Sequence, residues 1–163
     1  MNIYGVTGWK NAGKTTLVEG LVAEFVRRGL SVSTIKHAHH GFDLDMEGKD
    51  SWRHREAGAA EVLVASDSRF ALMRETPEAP PTLAGLVARL APVDLVLVEG
   101  YKRDRHPKIE VWREAGGRAP IAAGDPTIRA IASDDQPETD RPVLPPDPVV
   151  IADFIIRDLG LTA

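Results

Sequence analysis

Cysteine is absent from the 163 residues, which excludes disulfides, thiolate zinc centres and thiol nucleophiles and suits a reducing compartment. No stretch approaches the roughly 18 consecutive apolar residues that a spanning helix needs, and Met1 to Gly5 lacks the basic residues and apolar run of a secretory signal. A cytoplasmic location without membrane attachment is therefore expected. Positive charge is not in excess either. The formal net charge is -4, which gives no global attraction to nucleic acid or to an anionic surface. Asparagine occurs only at Asn2 and Asn11, so the asparagine-containing NKxD motif that commonly reads guanine has no counterpart.

What remains is ordinary for a folded domain. A hydrophobic fraction of 43 % and a charged fraction of 27 % supply enough apolar surface for one core, and residues 1–163 are expected to form a single domain. Ile3 to Thr7 reads as a buried strand that meets a turn at Gly8. From Thr15 the apolar positions Leu17, Val18, Leu21, Val22, Phe25 and Val26 recur at helical spacing, and Gly29 marks the stop. Ser31 to Lys36 is expected as a second strand, parallel to the first because a helix separates them. A long loop follows to Asp50. Asp50 or Ser51 is then expected to cap a short helix through Arg55 to Ala60. Glu61 to Ser66 and Phe70 to Met73 read as two strands joined by a turn. Pro77, Pro80 and Pro81 break the chain before a helix over Leu83 to Leu90.

Asp94 to Gly100 has the pattern of a central parallel strand buried on both faces, neighbouring the first. Lys108 to Trp112 and Ile128 to Ala132 are further strands. Residues 134–148 hold five prolines and four aspartates and are expected to be irregular. Val149 to Leu159 closes the chain as a helix. The whole pattern predicts an α/β fold: a mostly parallel central sheet with helices on both faces.

Gly8-Trp9-Lys10-Asn11-Ala12-Gly13-Lys14-Thr15 fits GxxxxGK(S/T) at every fixed position and lies between a strand and an amphipathic helix, the context that gives the motif its meaning. Glycines let the backbone curl so that successive amides, from Asn11, Ala12 and Gly13 onward, point at phosphate oxygens, and the helix adds its positive dipole end. Lys14 supplies a cation for the β- and γ-phosphates. The Thr15 hydroxyl suits magnesium, and Thr16 is placed for the α-phosphate. Glu99 ends the buried strand at the ligand-binding edge of a parallel sheet, where it suits magnesium through a water; the alternative is an acid that caps the next turn. Asp94 starts that strand at the opposite end and is a poor metal candidate.

His37, His39 and His40 stand beside Asp43 and Asp45, ligand types that suit zinc or nickel at a spacing that is not diagnostic. With Lys36 they equally suit an anionic, phosphorylated ligand, or a solvated loop. Lys102, Arg103 and Arg105 follow Glu99 at the same edge, where with Lys36 they suit a basic rim or, equally, a solvated charged turn. No glutamine or arginine near the phosphate loop is an obvious water-orienting or charge-stabilising group, so hydrolysis is expected to be slow. For the base, Asp134 follows the strand IRAIAS at the ligand edge, and a carboxylate accepts from guanine N1–H and N2–H2, a pair adenine does not offer; the alternative is that it only starts the proline-rich turn.

GWKNAGKTTL, KHAHHGFDLDMEGKDSWRHREAGA, FALMRET, LVLVEGYKR, HPKIEV and AIASD occur in this order and resemble the MobB family of molybdopterin-guanine dinucleotide biosynthesis adaptor proteins. The resemblance implies a P-loop NTPase fold, GTP and Mg²⁺ as ligands, with molybdopterin a further candidate, and a homodimer. It also implies assistance to a MobA-type guanylyltransferase that joins GMP to molybdopterin, with weak GTPase activity at most. Carried onto this chain, the nucleotide loop is Gly8 to Thr16, the magnesium residues are Thr15 and Glu99, and Lys36 to Asp45 with Asp50 is a switch or cofactor-facing loop. Two rival readings use the same loop: a small-molecule kinase with Asp43, Asp45 or Asp50 as base, and a metal-delivery GTPase that uses the histidines.

Overall fold

A computed structural model describes residues 1–38, 44–76 and 79–162; His39, His40, Gly41, Phe42, Asp43 and Pro77 from the reading above lie outside the described residues. The chain divides into two compact units, one of Met1–His37 with Leu83–Ala163 and one of Ala38–Thr82. In chain order the elements are β1 (Asn2–Gly8), α1 (Lys14–Arg27), β2 (Val32–Lys36), α2 (Asp50–Glu56), β3 (Glu61–Ala65), β4 (Phe70–Arg74), α3 (Leu83–Val87), β5 (Leu95–Glu99), β6 (Lys108–Val111), β7 (Ile128–Ala132), β8 (Val143–Leu144) and α4 (Pro148–Leu159). Two short 3₁₀ turns, Glu114–Gly116 and Ile121–Gly124, lie between β6 and β7.

The larger unit is built on a sheet ordered β2-β5-β1-β6-β7-β8 in which every pairing is parallel. Parallel neighbours need crossovers, and the crossovers lay helices on both faces. On one face Tyr4, Val6 and Leu97 meet Leu21 and Phe25 of α1 and Ile151 and Ile155 of α4. On the other, Val96 and Val98 meet Leu83, with Ile3, Ile35 and Val87 against them. All five residues of β5 are buried, which explains why its sequence does not alternate. The expected three-layer α/β architecture is therefore present.

The helix ends follow their local chemistry. Asp147 caps α4 by accepting from Val149 N at 2.8 Å and Val150 N at 3.1 Å, Pro148 takes the first turn, and Gly160 closes it at φ 65°. At the end of α1, hydrogen bonds from Arg27 and Arg28 hold the Glu24 carboxyl down to about 2. Three expectations change. Helix α2 starts after Lys49 and ends at Glu56, because Gly58 at φ 96° leaves the helical region before Ala60. Helix α3 ends at Val87 rather than Leu90. The proline-rich stretch is not wholly irregular: Pro142 O and Leu144 O accept from Ile131 N and Ser133 N, both at 2.9 Å. Prolines supply acceptors without donors, so β8 reaches only two residues.

In the smaller unit β3 and β4 form an antiparallel hairpin, with Leu63 opposite Leu72 and Ala65 opposite Phe70. Val62 is buried, whereas Leu63, Val64, Phe70 and Leu72 are exposed by 59, 47, 73 and 48 %. Among the described residues no helix is long and apolar enough to cross a membrane.

His106 is the least expected core residue. It is buried, and its Nε2 lies where it does because Gly5 has no side chain: a β-carbon there would fall 2.5 Å from Nε2. Neither ring nitrogen has a hydrogen-bond partner among the described residues. Burial first, then the Lys108 ammonium, push its pKa down to about 4, against opposing pulls from Asp104 and Asp125. The folded protein therefore binds the imidazole proton less readily than the unfolded chain does. Stability from this residue is complete above the unfolded value near 6.5 and is lost as pH falls from there toward about 4. The loss is expected to reach about 2–3 kcal/mol. Urea unfolding across this range should show that slope, and His106→Gln should flatten it; an unchanged slope in the variant would assign the acid sensitivity elsewhere.

Candidate functional site

The residues singled out by motif gather at the carboxyl edge of the larger unit's sheet, where β1, β2, β5, β6 and β7 all end. That placement follows from register. Glu99 is paired with Lys36 on one side and Val6 on the other, so β2 and β5 end level while β1 runs two residues further, to Gly8, and carries the loop out past them.

The loop after β1 has the curled backbone its sequence implies. Asn11 stands at φ 63° and Gly13 at φ 103°, both left-handed. Helix α1 then opens without a side-chain cap, and its first internal bond is Leu17 N to Gly13 O at 3.1 Å. The amides of Lys14, Thr15 and Thr16 thus begin the helix as donors with no acceptor inside it, next to the positive dipole end. Ala12 is buried and fixes the loop to the core. The Lys14 ammonium folds back to Trp9 O at 2.7 Å. Burial, then the Lys102 ammonium and more weakly that of Lys36, lower the Lys14 pKa, while Glu99 opposes the shift. Three ammonium groups and one carboxylate therefore surround this end of the loop, an imbalance that favours an anion.

Thr15 Oγ donates to Glu99 Oε1 at 3.0 Å. Lys36 Nζ lies 3.4 Å from Thr15 Oγ and 3.5 Å from Glu99 Oε2. A hydroxyl and a carboxylate this close form an oxygen donor pair suited to a hard cation such as magnesium. His37 donates its backbone amide to Glu99 O at 2.9 Å and lays its ring against Tyr101, with centroids 4.8 Å apart. Asp94 sits at the far end of the same strand as expected. It accepts from Ser31 N and Oγ at 2.8 and 2.6 Å, stapling the starts of β2 and β5.

On the other side of the loop is a cleft of about 660 Å³ lined by Gly13, Thr16, Trp112, Arg113, Asp134 and Pro146, among others. Asp134 is exposed. Its neighbour Asp135 is instead committed to the backbone: it accepts from Glu114 N at 2.8 Å while its own amide donates to Ser133 Oγ at 3.0 Å. The turn is thereby held with Asp134 on the cleft wall.

Two features escaped the sequence reading. Arg113 does stand at the loop: its Nη2 lies 3.3 Å from where a Gly13 β-carbon would be. No motif marks it, although the rule that selected Glu99 and Asp134, a polar residue just past a strand's carboxyl end, selects Arg113 after β6 as well. The second is the ring of Trp9, over which Lys102 Nζ and Arg118 Cζ lie at 4.4 and 4.6 Å from the centroid. Arg103, Arg105 and Arg118 are all exposed; Lys102 and Arg118 are the two whose cationic ends stand over the Trp9 ring. In the smaller unit Asp45 accepts from Arg55 at 3.0 Å and Asp50 opens α2. Among the described residues no group of three or more His, Asp or Glu is arranged to hold a metal.

Comparison with known proteins adds an independent line. The family model described as MobB, molybdopterin guanine dinucleotide synthesis protein B, matches residues 3–134. The molybdopterin-guanine dinucleotide biosynthesis adapter protein of Haemophilus influenzae is 43 % identical over 156 residues, 94 % of this chain and 86 % of that one. Its Escherichia coli counterpart is 40 % identical over 160 residues, 95 % and 91 % of the two chains. Among solved structures, a MobB homolog from Bacillus stearothermophilus is similar with a TM-score of 0.73 and 30 % identity, covering 98 % of this chain and 99 % of that one.

The loop's geometry makes one test independent of any ligand. A side chain on Gly13 meets a flexible guanidinium tip, which can yield, but must also adopt φ 103°, so backbone strain dominates. Gly13→Ala is expected to cost about 1–2 kcal/mol in urea unfolding. Adding Arg113→Ala should recover only a small part; full recovery would show that crowding, not the backbone, sets the cost.

Proposed function

The chain belongs to the MobB family, the adapter proteins of molybdopterin-guanine dinucleotide biosynthesis, and from that premise we propose that it serves the pathway by holding GTP with Mg²⁺. The observation that carries this reading is the pairing of Thr15 with Glu99 at 3.0 Å beside an uncapped helix start and Lys14. Asn11 to Thr16 cradle the phosphates, Lys14 neutralises the β- and γ-phosphates, and Thr15 and Glu99 would hold the metal, which would supply further charge neutralisation there. Lys36 and His37 border the same corner and face the terminal phosphate or a phosphorylated second ligand such as molybdopterin.

In the cleft beyond Thr16, Asp134 accepts from the N1–H and N2–H2 of guanine, and Arg113 adds positive charge on the nucleoside side of the loop. Hydrolysis is expected to be slow, because no glutamine stands beside Thr15 and Glu99 among the described residues to orient a water. The protein therefore acts as a nucleotide-dependent adaptor to a MobA-type guanylyltransferase rather than as a dedicated hydrolase. The kinase reading is weaker, since Asp45, one of its candidate bases, is already paired with Arg55.

Calorimetric titration tests the nucleotide. Lys14→Ala should weaken GTP binding by about 1.5–3 kcal/mol. Asp134→Ala should erase a preference for GTP over ATP; a preference that survives intact removes Asp134 from base recognition.

The adaptor is further proposed to be a homodimer joined through the β3–β4 hairpin. A two-stranded hairpin is marginal alone in water, and this one exposes Leu63, Phe70 and Leu72 on one face, area that a second copy would bury. Light scattering on Phe70→Glu should give a monomer where the unaltered protein gives a dimer. A dimer that persists in the variant places the interface elsewhere.

A further inference from the structure

Lys36 brings its ammonium to the side chains offered above as metal ligands, and nothing about its strand requires that. Register makes it the direct cross-strand neighbour of Glu99, and the bond from His37 N to Glu99 O fixes the two backbones on either side of it. The side chain itself is 59 % exposed, whereas that of Glu99 is 11 % exposed. A long, largely solvated stem therefore carries its charge inward to a mostly buried carboxylate. The two oxygens it touches, Thr15 Oγ and Glu99 Oε2 at 3.4 and 3.5 Å, belong to the pair offered above as metal ligands.

A divalent ion seated at oxygen-ligand distances and an ammonium cannot share that gap, because both the space and the like charge forbid it. The stem has room to move, and the nearest concentrated negative charge would be a phosphate chain held by the loop of Lys14. We propose that Lys36 is an exchangeable internal cation, which holds the Thr15–Glu99 pair in place until Mg²⁺ takes those oxygens and then passes to the terminal phosphate of the bound triphosphate. The inference rests on the nucleotide reading above and deepens it: metal entry and recognition of the third phosphate become one coupled event. With a diphosphate the displaced ammonium has no third phosphate to meet, so Lys36 opposes the metal. With a triphosphate the exchange is compensated. The chain thus prefers GTP over GDP through a residue outside the loop motif.

Titration with Mn²⁺, its unbound fraction read by electron paramagnetic resonance, tests this on the whole protein with GDP and with GTP. In Lys36→Met with GDP, the Mn²⁺ concentration at half-saturation should fall roughly three- to fivefold, the size a partly exposed ion pair commands. The preference for GTP over GDP should shrink by a similar factor. An unchanged or higher Mn²⁺ midpoint with GDP overturns the exchange. A lower midpoint with an unaltered GTP preference overturns the transfer to phosphate. If the unaltered protein takes up no Mn²⁺ with either nucleotide, the nucleotide reading itself fails, a result separable from the other two.

Discussion

One ladder organises the site. Strand β5 lies between β1 and β2, and because both pairings are parallel the three strands run out at the same edge: Glu99 stands beside Lys36, the end of β2, on one side and beside Val6, two residues short of the end of β1, on the other. The strand is buried throughout and apolar until that final residue, so burying the core and delivering one carboxylate to the rim are the same act. A slip of one residue would turn Glu99 toward the opposite face of the sheet and separate it from Thr15. The phosphate loop supplies curvature and charge, but its position relative to the acid is decided by this pairing.

That dependence explains what was legible in the chain. The loop and helix α1 could be read because their instructions are local: GxxxxGKT, helical spacing from Leu17 to Val26, and Gly29 as the stop. β5 was readable for a different reason. Only a strand covered on both faces tolerates Leu-Val-Leu-Val without alternation. Asp134 and Glu99 were found by combining a strand with a rule about which end carries ligands. Arg113 was missed because the preceding strand was recognised but the same rule was not applied to it.

Other differences arise from tertiary context. β8 sits among prolines, and its two residues are strand only because β7 has amides at Ile131 and Ser133 that need acceptors. The end of helix α2 moved because Gly58 takes a positive φ. His106 carried no periodic signature; its burial depends on a missing side chain at Gly5, one hundred and one positions earlier in the chain.

The order of strands also bears on how the protein is made. β1 is synthesised first, yet both its neighbours, β5 and β6, begin only at Leu95 and Lys108. As the polypeptide leaves the ribosome, β1 waits without hydrogen-bond partners while more than half of the chain follows it. Loop closure of that length is slow and exposes apolar edges. The phosphate-loop sequence thus emerges well before β5 and β6, and its walls assemble late, so a ligand held there would reward folding only near its completion.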